Sequence, residues 1–172
     1  MTCPTNQSEA LTFYAALNLP VTPVRPTEKK GRLTGWSVNS KGASAQEFRP
    51  GDNIGVLNGT VVADGYVFHD IDIDINTDQA RSIIEELLPP TGWRYGRASK
   101  PRSHANYLVR GACRTRRYVG VDGKVIIELR GVTQKKTHTL SVGPGSTHTT
   151  GEPIRFIEPL TPIGRVENPE DF

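Results

Sequence analysis

Apolar residues recur at helical spacing in two segments of the chain. Residues 6–17 carry them at Leu11, Tyr14, Ala15 and Leu17, behind possible capping residues at positions 5 and 8. Residues 77–88 show a similar amphipathic pattern, with Thr77 as a cap, and the two prolines that follow end the segment. The pattern therefore predicts two amphipathic helices.

Short strand-like runs account for most of the remaining apolar positions. Asp64-Gly65 and Asp122-Gly123 separate neighbouring runs and predict tight hairpins, whereas residues 25–52 are rich in turn-forming residues. Two helices with about eight strands, many joined by hairpins, predict an α/β (α+β) fold with a mostly antiparallel mixed sheet flanked by a few helices. The runs span residues 19–24, 53–59, 60–63, 66–75, 93–98, 105–110, 116–121, 124–130, 138–142 and 153–157.

One of these runs places three carboxylates on one face. Asp70, Asp72 and Asp74 alternate with isoleucines, so the aspartates point to one side of the strand and the isoleucines to the other. Like charges on one face repel each other, and a divalent cation would offset that repulsion. Carboxylates about 6.6 Å apart along a strand can converge on a pair of metal ions about 4 Å apart. A half-buried strand with a solvated face remains the alternative.

The chain carries 172 residues and a formal net charge of +3, but the charge is unevenly distributed. Between Gly92 and Lys136 there are twelve basic and two acidic residues. This segment also contains aromatic residues, and arginines with aromatics are typical of a groove for a nucleic-acid strand. A solvated charged face is the alternative. The aromatics are Trp93, Tyr95, Tyr107 and Tyr118.

The length fits a single domain over residues 1–172, with an acidic tail from about residue 164. The sequence has no apolar stretch near 18 residues and a polar beginning. We therefore expect a cytoplasmic protein with no membrane segment.

Four segments, in order and spacing, resemble the bifunctional DNA primase/polymerase (prim-pol) domain of the archaeo-eukaryotic primase superfamily. The resemblance covers roughly residues 17–157 and implies a primase-like catalytic core over the whole chain. The family's acidic strand, serine-histidine segment and later acidic residue match Asp70 with Asp72, Ser103 with His104, and Glu128, although here the serine and histidine are adjacent. The segments are NIGVLNG leading into FHDIDID, LPPTGWRYGRASKPRSHANYLV, VIIELRG and VGPGSTHTTGEPI.

The resemblance implies roles for these residues. Asp70, Asp72 and Glu128 would be catalytic carboxylates that hold Mg²⁺ or Mn²⁺, and His104 would also be catalytic. Asp74, one step beyond the matched pair, is expected in a solvated or supporting role. The nucleotide-binding residues would be Arg97, Ser103, His104, Arg130, Ser146 and His148. A structural role is the alternative for His104, and equally for the loop that carries Ser146 and His148.

The function that follows is that of a template-dependent nucleotidyltransferase, which adds nucleotides to a 3′-hydroxyl. The expected partners are single-stranded or primed DNA, deoxynucleotides or ribonucleotides, and a replicative helicase. A metal-dependent nuclease or replication initiator, and a non-catalytic nucleic-acid-binding module, are the alternatives. Since the sequence ends in RVENPEDF with no helical module after it, we expect primer extension to be efficient and initiation poor.

Overall fold

The computed structural model describes residues 2–75, 77–157 and 159–171. Both predicted helices are present, α1 over Gln7–Ala16 and α2 over Asp78–Leu87. Asn6 caps α1, because its side chain accepts a hydrogen bond from the backbone N–H of Glu9, in place of the residues predicted at positions 5 and 8. Thr77 stands at the cap position of α2, but its side chain makes no capping bond.

Eleven strands among the described residues form two sheets. A small antiparallel sheet has the order β1-β2-β9, and a large sheet has the order β10-β5-β6-β4-β8-β7, with β3 paired to β4 and β11 paired to β6. The strands are β1 Val21–Val24, β2 Asn53–Asn58, β3 Thr60–Ala63, β4 Tyr66–Ile73, β5 Arg94–Arg97, β6 Lys100–Arg110, β7 Arg116–Val119, β8 Val125–Arg130, β9 Thr139–Val142, β10 Arg155–Phe156 and β11 Gly164–Val166.

The strand pairing confirms the predicted fold class. All strand pairs are antiparallel except β11 with β6, which is parallel, so the protein has an α+β fold with a mostly antiparallel mixed sheet. Both predicted hairpins form: β3 leads into β4 through Asp64 and Gly65, whose φ angles are 49° and 77°, and Gly123 turns β7 into β8 with a φ of 75°. These positive φ angles suit asparagine, aspartate and glycine.

Residues 164–166, where the predicted acidic tail begins, form strand β11. Gly164 to Val166 pairs with Tyr107 to Val109, and Val166 is buried in a hydrophobic core. Glu167 then accepts a hydrogen bond from Nε of Arg110 at 2.8 Å. Burial of Val166 therefore holds this segment against the sheet although the segment is acidic. Phe172, the last residue of the predicted tail, lies outside the described residues.

The large sheet is covered on both faces. The isoleucines of β4 point to one face, where Ile71, Ile73 and Leu129 form a core with Ile84 of α2. The other face, which carries the aspartates, is covered by α1 and the small sheet through a second core that includes Phe13, Tyr14, Ile54, Phe68 and Phe156. Within the described part of the chain, neither helix has the length and apolar character needed to cross a membrane. The aspartate face therefore lies between two layers of structure.

Candidate active site

One row of side chains crosses five strands of the large sheet on a single face. Asp72 on β4 lies opposite His104 on β6 and opposite Glu128 on β8. The row continues outward to Tyr95 on β5 and to Arg117 on β7. Because directly opposed residues of neighbouring antiparallel strands share a face, the pairing register places these side chains next to one another. Three of the residues singled out in the sequence are thus brought together.

Asp70 lies in the next row, and its carboxylate is completely buried. Its Oδ1 accepts a 2.9 Å hydrogen bond from Nδ2 of Asn106, and its Oδ2 accepts a 2.5 Å bond from the Ser141 hydroxyl. Nδ1 of His104 lies 2.9 Å from the same Oδ2, and a guanidinium nitrogen of Arg130 lies 3.9 Å from it. Burial acts to raise the pKa of Asp70, but the charges of His104 and Arg130 and these hydrogen bonds hold it below its usual value.

His104 is held in place from two directions. Its ring stacks on Tyr95 with centroids 4.5 Å apart and planes within 2° of parallel, while Nδ1 faces Asp70 and Nε2 lies 3.7 Å from Oδ1 of Asp72. Burial acts to lower the pKa of His104, but the charges of the two aspartates raise it above its ordinary value. The imidazolium form is therefore favoured, in which both ring nitrogens are donors.

The guanidinium of Arg130 joins two of the acidic side chains. Nη2 donates to Oδ2 of Asp72, and Nε donates to Oε2 of Glu128 at 2.9 Å. Glu128 also accepts a 2.6 Å bond from Nε of Arg117. Burial acts to raise the pKa of Glu128, but the hydrogen bonds and charges of Arg117 and Arg130 lower it. The arginines therefore stabilise the charged form of Glu128.

The row opens into a cavity of about 300 Å³ between the two sheets, which we call the central cavity. Glu28, Asp72, Asp74 and Glu128 contribute carboxylates to its wall, whereas the buried Asp70 does not line it. Nζ of Lys100 lies 3.2 Å from Oδ1 of Asp74. The cationic side chains of the wall are Lys29, Arg97, Lys100, His104, Arg117 and Arg130.

Arg97 stands at the rim of the central cavity and is held by Glu152. Its Nε donates to the Ser99 hydroxyl at 3.0 Å and lies 3.1 Å from Oε2 of Glu152. The Ser99 hydroxyl and backbone N–H both donate to Glu152, at 2.7 and 2.8 Å, and these bonds lower the pKa of Glu152 to about 2. His148, which also lines the cavity, accepts the backbone N–H of Thr150 through Nδ1 at 3.2 Å.

The two predicted serines have different positions. Ser103 is buried and contributes to the wall of the central cavity beside His104. Ser146 is also buried, but its hydroxyl accepts the backbone N–H of Ile54 at 2.8 Å and does not line the cavity. The hydroxyl of Ser146 thus joins its loop to β2, and its role in binding a nucleotide stays a prediction.

The sequence predicts that four aromatic residues lie in a groove with basic residues, and this prediction is wrong for three of them. Trp93, Tyr95 and Tyr107 are each at most 6% exposed because they pack in the two cores. Tyr118 alone of the four is exposed, by 44%. These buried rings stabilise the fold and are inaccessible to bases.

Most basic residues of the same segment have acidic partners within 4 Å. Eight of the twelve do so, among them the cavity residues and Arg94, Arg102, Arg110 and Lys124. Those that contact no carboxylate of the described residues are Arg114, Arg116, Lys135 and Lys136. The uncompensated charge is therefore concentrated near β7 and in the turn that joins β8 to β9.

The chemistry of the cavity carboxylates fits a hard divalent cation, since Asp72, Asp74 and Glu128 offer only oxygen donors. Among the described residues, no three acidic, histidine or cysteine side chains are already grouped to hold an ion. Arg130 and Lys100 pair with these carboxylates instead. An ion would therefore compete with cationic side chains for the same oxygens.

Several residues of the site have no motif in the sequence. Asn106 and Ser141 bind Asp70, and Glu152 holds Arg97, but each is separated from its partner by many residues. Lys29 reaches the cavity from the turn-rich segment after β1. For Asp74, the alternation along β4 was a usable signal, because it predicts the same face as Asp72.

The central cavity thus has acidic residues from β4 and β8 and a histidine from β6 in its wall. No curated protein matches this chain. A family model, described as bifunctional DNA primase/polymerase, N-terminal, matches residues 10–169, which is nearly the whole chain. The chain therefore belongs to the bifunctional DNA primase/polymerase N-terminal family.

Proposed function

We propose that the central cavity catalyses template-dependent nucleotidyl transfer to a 3′-hydroxyl. In this reaction the hydroxyl oxygen forms a bond to the α-phosphorus of a nucleotide, and the bond to the pyrophosphate breaks. The observation that carries the proposal is the meeting of four carboxylates and several cationic side chains in one cavity of about 300 Å³. The family match supports the same reaction class.

The cationic rim suits the triphosphate of the incoming nucleotide. Arg97 is held by Glu152 and keeps its remaining guanidinium nitrogens available, and Lys100 faces the same cavity. Arginine binds phosphate oxygens in a bidentate manner, whereas lysine acts as a point charge. Leu140, Val142 and Ile154 give another part of the wall an apolar character that suits the sugar and base.

We propose that Asp72, Asp74 and Glu128 are the carboxylates that hold Mg²⁺ or Mn²⁺. All three line the central cavity, and Asp74 is the most accessible, with 44% of its side chain exposed. Two such ions, when bound, activate the attacking hydroxyl and neutralise charge on the phosphates. Arg130, released from Asp72 and Glu128, would then be free to donate to a phosphate oxygen.

Asp70 has a different role in this proposal, and its sequence-based assignment as a ligand stays a prediction. Both of its oxygens already accept hydrogen bonds, and it lies beneath the cavity wall. Through Nδ1 it fixes the ring of His104, so that Nε2 points toward the side of the cavity that holds Asp72. His104 would then donate from Nε2 to the phosphate on which charge develops.

A primer-extension assay tests the proposed reaction. The full chain is incubated with a labelled primer annealed to a longer template, all four deoxynucleotides, and Mg²⁺ or Mn²⁺. We expect products longer than the primer with at least one of the two ions, and none after chelation. Shortened products would indicate a nuclease, and an unchanged primer that is still bound would indicate a binding module.

Matched variants connect the activity to the cavity. Glu128→Gln removes a cavity carboxylate and should abolish extension, whereas Asp122→Asn removes one from the exposed β7–β8 turn and should leave extension unchanged. Equal rates for Glu128→Gln and the native chain would place the reaction elsewhere.

A further inference from the structure

β7 is the last strand of the large sheet, and its residues Arg116–Val119 are all exposed. An exposed edge strand presents unpaired backbone groups to other chains, and charged side chains on the edge oppose such pairing. Here arginine supplies that charge, but apolar side chains are exposed beside it. Tyr118 is 44% and Val119 is 61% exposed. The edge is therefore protected against strand pairing and still offers a surface for contact.

Within residues 92–136, the cations that contact no carboxylate of the described residues lie near this edge. Arg114 and Arg116 contact no carboxylate of the described residues, and neither do Lys135 and Lys136. The bridge between Arg114 and Val132 places the turn with the two lysines beside the start of β7. We call Arg114, Arg116, Tyr118, Lys135 and Lys136 the β7 edge. Its positive charge is exposed and uncompensated by carboxylates of the described residues.

The β7 edge adjoins the central cavity through Arg117. Arg117 lines the cavity and binds Glu128, while its neighbours in the strand point to the other face. An extended ligand that leaves the cavity at Arg117 therefore reaches Arg116 and Tyr118 by crossing the β7 side of the sheet. No described strand covers that side.

We propose that the β7 edge binds the single-stranded template where it leaves the central cavity. The cations on β7 and in the neighbouring β8–β9 turn would neutralise successive phosphates of the strand. The exposed ring of Tyr118 would stack on a base. In a duplex the bases stack on one another, so they are not available to stack on the Tyr118 ring. This inference rests on the proposed function, because the template is its partner.

A metal-free binding assay separates this inference from the catalytic proposal. Anisotropy of a labelled oligothymidylate is measured with the native chain, Tyr118→Ala and Tyr118→Phe. Since base–aromatic stacking contributes about 5-fold or more in affinity per base, Tyr118→Ala should weaken binding at least to that extent. Tyr118→Phe keeps the ring and should bind like the native chain.

The charge of the edge is tested by salt dependence. Each lost phosphate contact on a single strand lowers the slope of log affinity against log salt by about 0.7, so Arg114→Ala combined with Arg116→Ala should lower it by about 1.4. Arg155→Ala is the matched control, because Arg155 is an exposed arginine on β10, at the opposite edge of the same sheet. It should leave the slope unchanged.

The outcomes distinguish the two proposals. The proposed template surface would be overturned if both edge variants bound the oligonucleotide with the affinity and salt slope of the native chain. It would also be overturned if they changed self-association and left oligonucleotide binding unchanged. Primer extension by the native chain would still support the catalytic proposal in either case. Loss of binding in the edge variants, together with a native chain that extends no primer, would support the surface and overturn the catalytic proposal. Because the substituted residues are exposed, the unfolding transition of each variant should match that of the native chain.

Discussion

Asp70→Asn removes a buried negative charge and leaves the shape of the side chain nearly unchanged. The native carboxylate accepts hydrogen bonds from Asn106, Ser141 and His104. An asparagine amide directs N–H groups toward at least one of these donors. We expect His104 to become neutral and to accept a bond at Nδ1, because its positive charge no longer has its nearest partner.

The size of the effect follows from burial. Asp70 is 0% exposed, and breaking a buried charge pair by removing one partner costs about 3–5 kcal/mol. The lower end applies if His104 loses its proton, and a loss of about 3 kcal/mol lowers the Tm of a domain of this size by about 6–12 °C. Asp122→Asn, at an exposed turn, should leave the Tm unchanged.

The pH dependence of this loss has a defined sign. The folded pKa of Asp70 is lowered, so its stabilisation is present above the unfolded pKa of about 3.9 and is lost as the pH falls. The folded pKa of His104 is raised, so its stabilisation is present below about 6.5 and is lost as the pH rises through the folded value. The difference between the native chain and Asp70→Asn should be largest between about pH 4 and 6.5.

Two measurements check this reasoning. Urea unfolding over this pH range gives the difference in free energy, and NMR titration of His104 should show a lower midpoint in Asp70→Asn. Calorimetric titration with Mn²⁺ then separates the two roles of the carboxylate. Native stability and an unchanged His104 titration, together with loss of Mn²⁺ binding, would refute the positioning role and support Asp70 as a ligand.

Three further predictions concern the central cavity. Asp74→Asn should weaken Mn²⁺ binding in calorimetric titration yet change the unfolding free energy by less than about 0.5 kcal/mol, because the side chain is 44% exposed; unchanged Mn²⁺ binding would exclude it as a ligand. Glu152→Gln should raise the KM for the nucleotide more than it lowers kcat, since Arg97 loses its charged partner; steady-state extension kinetics would show the opposite if Glu152 acted in chemistry. His104→Gln should lower kcat in the same assay, and a native kcat would remove His104 from the mechanism.

The sequence was sufficient to predict the face on which the acidic residues lie, but not which of them reach the cavity. Alternation along β4 predicts one face for Asp70, Asp72 and Asp74. The choice among them depends on β9, whose Ser141 covers Asp70, and on the pairing of Asp72 with Glu128. Both contacts join residues far apart in the chain, and no local pattern encodes them.

Charge and aromatic content misled for a physical reason. Tyr95 and Tyr107 lie on interior strands of the sheet, and their rings pack in the two hydrophobic cores. A short stretch of sequence does not show which aromatic residues lie in a core. Arg102 and Arg94 share a carboxylate of α2, Glu85, which lies outside the basic segment. The sequence gives the number of these charges, but only the tertiary structure shows which of them have no carboxylate nearby.

Single-turnover incorporation of one deoxynucleotide onto a primed template tests the central claim most directly. The native chain and Asp72→Asn are compared with Mg²⁺ and with Mn²⁺ at equal template occupancy, with Asp122→Asn as the control. We expect the native chain and Asp122→Asn to extend the primer by one nucleotide and Asp72→Asn to extend it undetectably, because Asp72 stands at the centre of the row of side chains that opens into the central cavity. Native incorporation by Asp72→Asn, or primer cleavage by the native chain, would contradict nucleotidyl transfer in this cavity.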